Sequence, residues 1–254
     1  MPIGTRKAGE FCWINILTAQ PAAARDFFGT LLGWTYFEMP GMGHGIQVAG
    51  RNIGGLFDLE GPNTPPGTRA IVGVMVKVES ADATCDMVIA LGGTARPAFD
   101  IPGAGRMAVC GDSTGVKFDL WEPGPMPATD VDARETGAPS WFEAMTPDAA
   151  KAAAFYTALF GWSRNVMPMP NGMYTMFTLG DQPVAGMMEL TPAMAGMHPD
   201  WNTYFTVNDA DESAREAVRL GATISMPVRE APGRRFCRIV SPQGVPFALV
   251  AYTR

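Results

Sequence analysis

The residues of this 254-residue chain best suited to chemistry are polar side chains set inside apolar, strand-like runs. Glu143 stands in WFEAM, Asn202 and Tyr204 in WNTYFTV, Lys77 in VMVKV and Asp119 in VKFDLW. Carboxylates, a phenol, an amide and an amine are the groups of general acid and base catalysis, in which one side chain takes a proton and another polarises an oxygen. The two histidines, His44 and His198, fall in probable loops, and the four cysteines show no C-x-x-C spacing. The glycine-rich PGMGHG lacks the strand-to-helix setting of a phosphate loop and reads as a hairpin turn.

The elements that position these residues occur twice. Trp13 and Trp141, Thr18 and Thr146, Phe27 and Phe155, and Gly33-Trp34 and Gly161-Trp162 recur at a spacing of 128 residues. A repeat of that length is a duplicated domain, and each half serves as a control for the other. Glu143 has Asn15 as its first-half counterpart, so the carboxylate is not something the scaffold requires. Residues 1–122 form one domain, 123–139 a linker rich in Pro, Ala, Asp and Gly, and 140–254 the second domain.

Composition narrows the partners. A net charge of −6, with no basic run longer than Arg234-Arg235, argues against nucleic acid. No apolar run approaches the length of a spanning helix, so no membrane is expected as a partner. The opening MPIGTRKAGEF has no apolar signal-like stretch, and the unpaired cysteine pattern suits a reducing compartment, so a cytoplasmic location is expected. A small-molecule ligand is the partner the composition favours, with the chain either monomer or homodimer.

Each half begins with a strand, Phe11 to Leu17 or Trp141 to Met145, and continues into a helix whose apolar residues fall at helical spacing. The first helix carries Phe27, Phe28, Leu31 and Leu32 before Gly33; the second carries Phe155, Tyr156, Leu159 and Phe160 before Gly161, with Thr146-Pro147 as its expected cap. Short strands follow at Gly45 to Val48 and Ile53 to Leu59, and at Tyr174 to Leu179 and Val184 to Leu190. The pattern then restarts with strand Ile71 to Val78 and helix Asp82 to Leu91, and with strand Asn202 to Val207 and helix Ala210 to Leu220, the last opened by Asp209 with Glu212 three residues on. The unit is βαβββ, present four times, and the fold class is α+β. A curved sheet with one covering helix cannot bury both faces, so units should pair and enclose a cavity.

With TPDAAKAAAFYTALFGW, its weaker copy TAQPAAARDFFGTLLGW, the LGG and LGA helix stops, and the turns in DSTGVKFDLWEP and SPQGVPFALVAY, the whole chain resembles the vicinal oxygen chelate superfamily. That group includes glyoxalase I, bleomycin-resistance proteins and extradiol dioxygenases, and among its subgroups the chain looks like the tandem, glyoxalase-related bacterial members. The resemblance implies two tandem glyoxalase-like domains built from four βαβββ modules. It does not fix the activity, because this scaffold hosts several chemistries.

Metal-dependent members carry His, Gln or Glu on the first strand of a module and Glu on the last. The matching positions here are Trp13, Gly73 and Asp119 in the first half and Trp141, Asn202 and Ala248 in the second. Indole cannot ligate a divalent ion, and Asp119 alone is a good ligand. No family-type metal and no other cofactor is therefore expected, an unconventional site using Asp119, His44 or Glu143 being the alternative.

The same register implies which side chains face the cavities, since strand residues alternate between faces. Trp13, Asn15, Met75, Lys77, Asp119 and Trp121 would line one, and Trp141, Glu143, Asn202, Tyr204, Thr206, Ala248 and Val250 the other. Aromatic walls with a few polar groups suit a small molecule. Trp13, Asn15, Trp121, Trp141 and Asn202 are the expected substrate-binding residues, and Glu143, Tyr204, Asp119 and Lys77 the expected catalytic ones. Lys77 and Asp119 are also a candidate ion pair. Glu143, enclosed by Trp141 and Tyr204, would be tuned by desolvation as a base or would accept a hydrogen bond from Asn202 or Tyr204. The methionines between Met167 and Met197 would either line a permissive pocket mouth or fill core.

The expected function is binding, and conversion by proton transfer, of a small, partly hydrophobic carbonyl or aromatic metabolite without the usual metal. The alternatives are a non-catalytic binding or resistance protein and a metal-dependent glyoxalase with an unusual ligand set.

Overall fold

The computed structural model describes residues 6–61, 64, 67–170, 172–194 and 196–253. In the first half β1 (Phe11–Thr18) and α1 (Pro21–Leu32) lead to β2 (Thr35–Met39), β3 (Gly43–Val48) and β4 (Arg51–Asp58). The second module follows as β5 (Ile71–Lys77), α2 (Ala81–Ala90), β6 (Thr94–Ala95), β7 (Phe99–Ile101), β8 (Gly105–Gly111) and β9 (Lys117–Pro123). The second half repeats this order with β10 (Pro139–Thr146), α3 (Ala149–Phe160), β11 (Ser163–Met169), β12 (Gly172–Leu179) and β13 (Gln182–Glu189). It closes with β14 (Asp200–Thr206), α4 (Ala210–Arg219), β15 (Thr223–Ala231), β16 (Arg234–Val240) and β17 (Pro246–Tyr252). Among the described residues no helix is long and apolar enough to cross a membrane.

Each half makes one curled sheet from its two modules. The first runs β2-β3-β4-β1-β5-β9-β8-β6, with β7 beside β8, and the second runs β11-β12-β13-β10-β14-β17-β16-β15. The modules join where their first strands pair antiparallel, β1 with β5 and β10 with β14. The expected pairing of βαβββ units thus takes place within each half.

Helix ends follow local chemistry. Gly33 and Gly161 close α1 and α3 at φ 69° and 68°, the left-handed conformation that glycine adopts without strain. The cap of α3 differs from expectation: Asp148, not Thr146, accepts from the Lys151 N–H at 2.9 Å. Thr146 instead meets Thr114 of the other half, hydroxyl to hydroxyl at 2.9 Å. Asp209 caps α4 by accepting from the Asp211 and Glu212 amides.

The helices lie on one face of each sheet, and the two helical faces share a single core. Ile14, Val74 and Leu120 of the first sheet belong to the same buried cluster as Phe142, Phe205 and Leu249 of the second. Phe11 stacks on Phe142 with centroids 4.1 Å apart, Phe28 meets Phe247 at 5.2 Å, and Phe118 meets Phe155 at 6.1 Å. The repeat also bonds to itself. Trp34 Nε1 donates to the Gly137 carbonyl at 2.8 Å, and Trp162 Nε1 donates to the Gly9 carbonyl at 2.9 Å. Of the clustered methionines, Met187 is core, while Met169, Met173 and Met197 are exposed.

Gly9 and Gly137 sit at φ 85° and 86°, where a side chain is strained. A Cβ on Gly137 would in addition collide with the Leu32 carbonyl oxygen, whereas one on Gly9 would meet nothing nearer than 3.4 Å. Gly9→Ala should cost about 1–2 kcal/mol from backbone strain alone, and Gly137→Ala clearly more. Urea unfolding of both variants checks the order, and equal losses would refute the account.

Candidate functional site

The face of each sheet turned away from the helices forms a cup. In the first cup Trp13 pairs with Met75 and Asn15 with Gly73 across β1 and β5, while Met75 pairs with Asp119 and Lys77 with Trp121 across β5 and β9. These ladders bring the expected first-half residues onto one surface. Asn15 Nδ2 lies 3.4 Å from Met75 Sδ. A Cβ on Gly73 would stand 3.6 Å from the Asn15 Cβ and 3.9 Å from Asp119 Oδ2, so the amide and the carboxylate both flank the half-buried Gly73. Trp13 and Trp121 meet edge to face at 6.5 Å and wall that surface.

Asp119 is enclosed yet reaches solvent. Burial among apolar neighbours pushes its pKa up to about 7, against a smaller downward pull from the Asn15 amide. The expected ion pair with Lys77 is not formed among the described residues; Lys77 Nζ donates instead to the Arg6 carbonyl at 2.8 Å. The Arg6 carbonyl captures the amine, which leaves Asp119 without a cationic partner among the described residues.

The second cup is occupied by its own side chains. Glu143 accepts from Tyr204 Oη at 3.0 Å and forms an ion pair with Arg238. Both members are buried, and Arg238 also approaches Met145 Sδ and Tyr204 Oη at 3.5 Å each. Of the two expectations for Glu143, the structure shows the hydrogen-bonded one, with an ion pair to Arg238 added. Of its two expected hydrogen-bond donors, Tyr204 is the one engaged; Asn202 is its ladder partner. Burial, reinforced by Glu143, holds the Tyr204 phenol well above its ordinary range, so it stays a proton donor.

Arg238 was not among the expected site residues. Its signal was there to read: in RRFCRIV the neighbours Cys237 and Ile239 belong to the shared core, which turns Arg238 to the opposite face. Trp141 Nε1 donates to Tyr174 Oη at 3.0 Å, and Gly186 makes room, since a Cβ there would collide with that hydroxyl. Thr206 bonds the Ala133 carbonyl at 2.6 Å, and Ala248 and Val250 pack with Tyr204.

The first half lacks each of these plugs. Gly45 and Met176 occupy matching ladder positions, opposite Gly55 and Gly186 respectively, so Gly43 stands where the second half has Tyr174. Met75 replaces Tyr204, and Val109, opposite Asp119 as Arg238 is opposite Ala248, replaces the arginine. Consequently the Trp13 indole N–H, unlike that of Trp141, is buried without a partner among the described residues, as is that of Trp121.

The donors present do not fit the metal of the family. The positions that would hold it are Trp13, Gly73 and Asp119 in one cup and Trp141, Asn202 and Ala248 in the other, and one carboxylate cannot supply the three or more ligands such a site needs. The unconventional set is also scattered. His44 pairs with Leu56 on the helix side of its sheet and lies 3.5 Å from Arg25, while Asp119 and Glu143 belong to different cups. Among the described residues no three His, Cys, Asp or Glu side chains gather as a candidate centre.

Removing one member of a buried ion pair leaves the other charge uncompensated. Arg238→Ala should therefore destabilise the fold by about 3–5 kcal/mol, whereas Glu143→Leu combined with Arg238→Met should recover most of that loss. Chemical denaturation of the single and double variants distinguishes a structural pair from independent groups.

Residues 139–249 match the model of the Glyoxalase/Bleomycin resistance protein/Dioxygenase superfamily. "Putative glyoxylase CFP32" of Mycobacterium bovis is 33% identical over 94% of this chain and 93% of its own length. "Anthracycline biosynthesis protein DnrV" of Streptomyces peucetius is 30% identical over 95% and 93%. The Mn(II)-bound glyoxalase from Novosphingobium aromaticivorans superposes with a TM-score of 0.66 at 15% identity, covering 98% of this chain and 83% of the other. The 2,2',3-trihydroxybiphenyl 1,2-dioxygenase from Sphingomonas wittichii gives a TM-score of 0.66 at 13% identity, covering 98% and 91%. Full-length likeness to the curated relatives, together with the paired four-module sheets, shows that this chain belongs to the glyoxalase/bleomycin resistance/dioxygenase superfamily.

Proposed function

We propose that the protein binds a small, partly hydrophobic carbonyl or aromatic metabolite in its first cup and converts it by proton transfer, without the family metal. The observation that carries this reading is the Asp119 carboxyl, half-buried without an ion-pair partner beside Asn15 and Gly73, its pKa pushed up to about 7 by burial. A group with that pKa exists in both protonation states at neutral pH, as a general acid and base must. Its carboxylate would take a proton from the carbon next to a carbonyl, the Asn15 amide would donate to the oxygen as charge develops there, and the protonated Asp119 would return the proton to a neighbouring position. Trp13 and Trp121 would hold the apolar body of the substrate.

The relatives support the substrate class. One is named as a glyoxylase and another as a protein of anthracycline biosynthesis, names that concern carbonyl and aromatic compounds. Glu143 and Tyr204 act in this reading through the shape of the second cup. A binding protein without turnover is the second reading, favoured by the apolar cluster of Trp13, Met75 and Trp121 on the first cup.

Asp119→Asn should lower turnover by at least about 100-fold while binding persists; turnover unchanged in this variant would overturn the assignment, and binding without turnover in the native protein would select the second reading. The pH dependence has a defined sign. The folded pKa of Asp119, about 7, lies above its ordinary 3.8, so the folded state holds the extra proton between those values. Stability contributed by this group is complete below the ordinary value and is lost as pH rises through about 7, while activity requiring the base rises over the upper part of that window. Thermal denaturation across that range should show a slope that Asp119→Asn reduces, the remainder coming from Asp200, whose pKa burial also raises, to about 6.

A further inference from the structure

The rim of the second cup carries arginines that no carboxylate among the described residues neutralises. Across β15 and β16 Arg229 pairs with Phe236 and Ala231 with Arg234; across β16 and β17 Phe236 pairs with Val250 and Arg234 with Tyr252. Phe236, Val250 and Tyr252 belong to the cluster on the cup side, so these ladders turn Arg229 and Arg234 to that side as well. Both arginines are exposed, and neither has a hydrogen bond or ion pair among the described residues. Arg234 is near enough to Tyr174, on the far wall of the cup, for its charge to be felt at that phenol. Arg235, which faces the helices, is by contrast paired with Asp211 and Glu230, and Arg238 on the floor with Glu143.

The segment that joins the halves adds a third cation. It is a strap: Gly124 N–H and Met126 N–H donate to the Ala104 carbonyl at 3.0 and 2.9 Å, Thr129 N–H reaches the Cys12 carbonyl at 3.3 Å, and Thr129 Oγ1 donates to the Asn52 carbonyl at 2.6 Å. Between these anchors Ala128 packs in the cluster of Trp13 and Trp121. Beyond them Arg134 lies over the Tyr252 ring, 4.1 Å from its centroid. The first half shows that the scaffold does not need these charges, because Phe99, Gly105 and Pro123 hold the ladder places of Arg229, Arg234 and Tyr252. Diagonal neighbours on one face of an antiparallel pair, as Arg229 and Arg234 are, stand about 7–8 Å apart, within a Debye length of about 8 Å at physiological salt. Two uncompensated guanidiniums at that spacing repel each other, and an anion between them relieves the repulsion. In a chain of net charge −6 the cluster is a local reversal of sign.

We infer that the rim of the second cup binds a planar aromatic anion, its carboxylate or phosphate between Arg229 and Arg234 and its ring against the half-buried Phe236. The sign of the ligand follows from the unpaired, solvent-facing guanidiniums, and its aromatic body from Phe236 and Tyr252 beside them. The floor of Glu143, Arg238 and Tyr204 is filled, so the ligand lies over this cup rather than within it. The site is separate from the first cup and independent of the reaction proposed there.

Isothermal titration calorimetry of the full-length protein with 2-naphthoate, 2-naphthyl phosphate and the neutral 2-naphthamide tests the site. One anion should bind per chain, the tighter of the two naming the headgroup, and the amide and plain acetate should each bind at least about fivefold more weakly. Arg229→Gln and Arg234→Gln remove charge from an exposed rim without touching the core. Each should weaken anion binding about fivefold, and the double variant about twentyfold or more, at an unchanged melting temperature. Added salt should weaken the anions and spare the amide. Asp119→Asn should bind the anions as the native protein does. Failure of the native protein to bind either anion, an amide that binds as tightly, or native affinity in the double variant overturns the site. A native dimer that becomes monomeric in the double variant overturns it too, by giving the arginines to an interface between copies.

Discussion

Everything in this molecule depends on the two sheets burying their helical faces against each other. Each half has one helix per module, too little apolar cover for a curled sheet of eight or nine strands. The solution is a common core in which Phe11 stacks on Phe142 and aromatic residues of α1 and α3 reach strands of the opposite half. The reciprocal bonds from Trp34 and Trp162 to Gly137 and Gly9 fix the angle at which the halves meet. With the helical faces so committed, the opposite faces are the ones left to take a ligand.

Those two free faces then diverge. In the second cup Arg238, Glu143, Tyr204 and Tyr174 satisfy one another, and an internal guanidinium supplies the positive charge. In the first, glycines and Met75 stand at the corresponding places, and Asp119 has only Asn15 to temper it. Duplication provided two similar scaffolds, and packing has filled one of them with mutually bonded side chains while leaving the Asp119 carboxyl without such partners in the other. The departure from the family's metal donors is common to both, since Trp13 and Trp141 hold the same place in each.

Much of this organisation was legible in the sequence. Spacings such as Gly33-Trp34 against Gly161-Trp162 carry the duplication, and strand alternation places Asn15, Met75, Asp119 and Trp121 on one surface because a period of two is a strong local constraint. What escaped was partner choice across strands. Nothing in the spacing of Lys77 and Asp119 shows that the amine will prefer the Arg6 carbonyl. Arg238, separated from Glu143 by 95 residues, becomes its partner only once β16 is laid against β17 and β17 against β14. Likewise the run from Pro123 to Pro139 has the composition of a spacer, yet its backbone bonds make it part of a wall, a property that depends on where its acceptors lie in space.

That last property changes how the two halves can vary. A loose tether tolerates insertions, swaps and cleavage, since loop length itself carries little free energy. A strap pinned at Ala104, Cys12 and Asn52 does not, because one added residue would shift Thr129 and Met126 out of register with the surfaces they cover. The junction between the duplicated halves is therefore expected to be the most length-intolerant surface segment of the chain, so that domain exchange, proteolytic nicking or circular permutation at this point would disturb the first cup before it disturbed the fold.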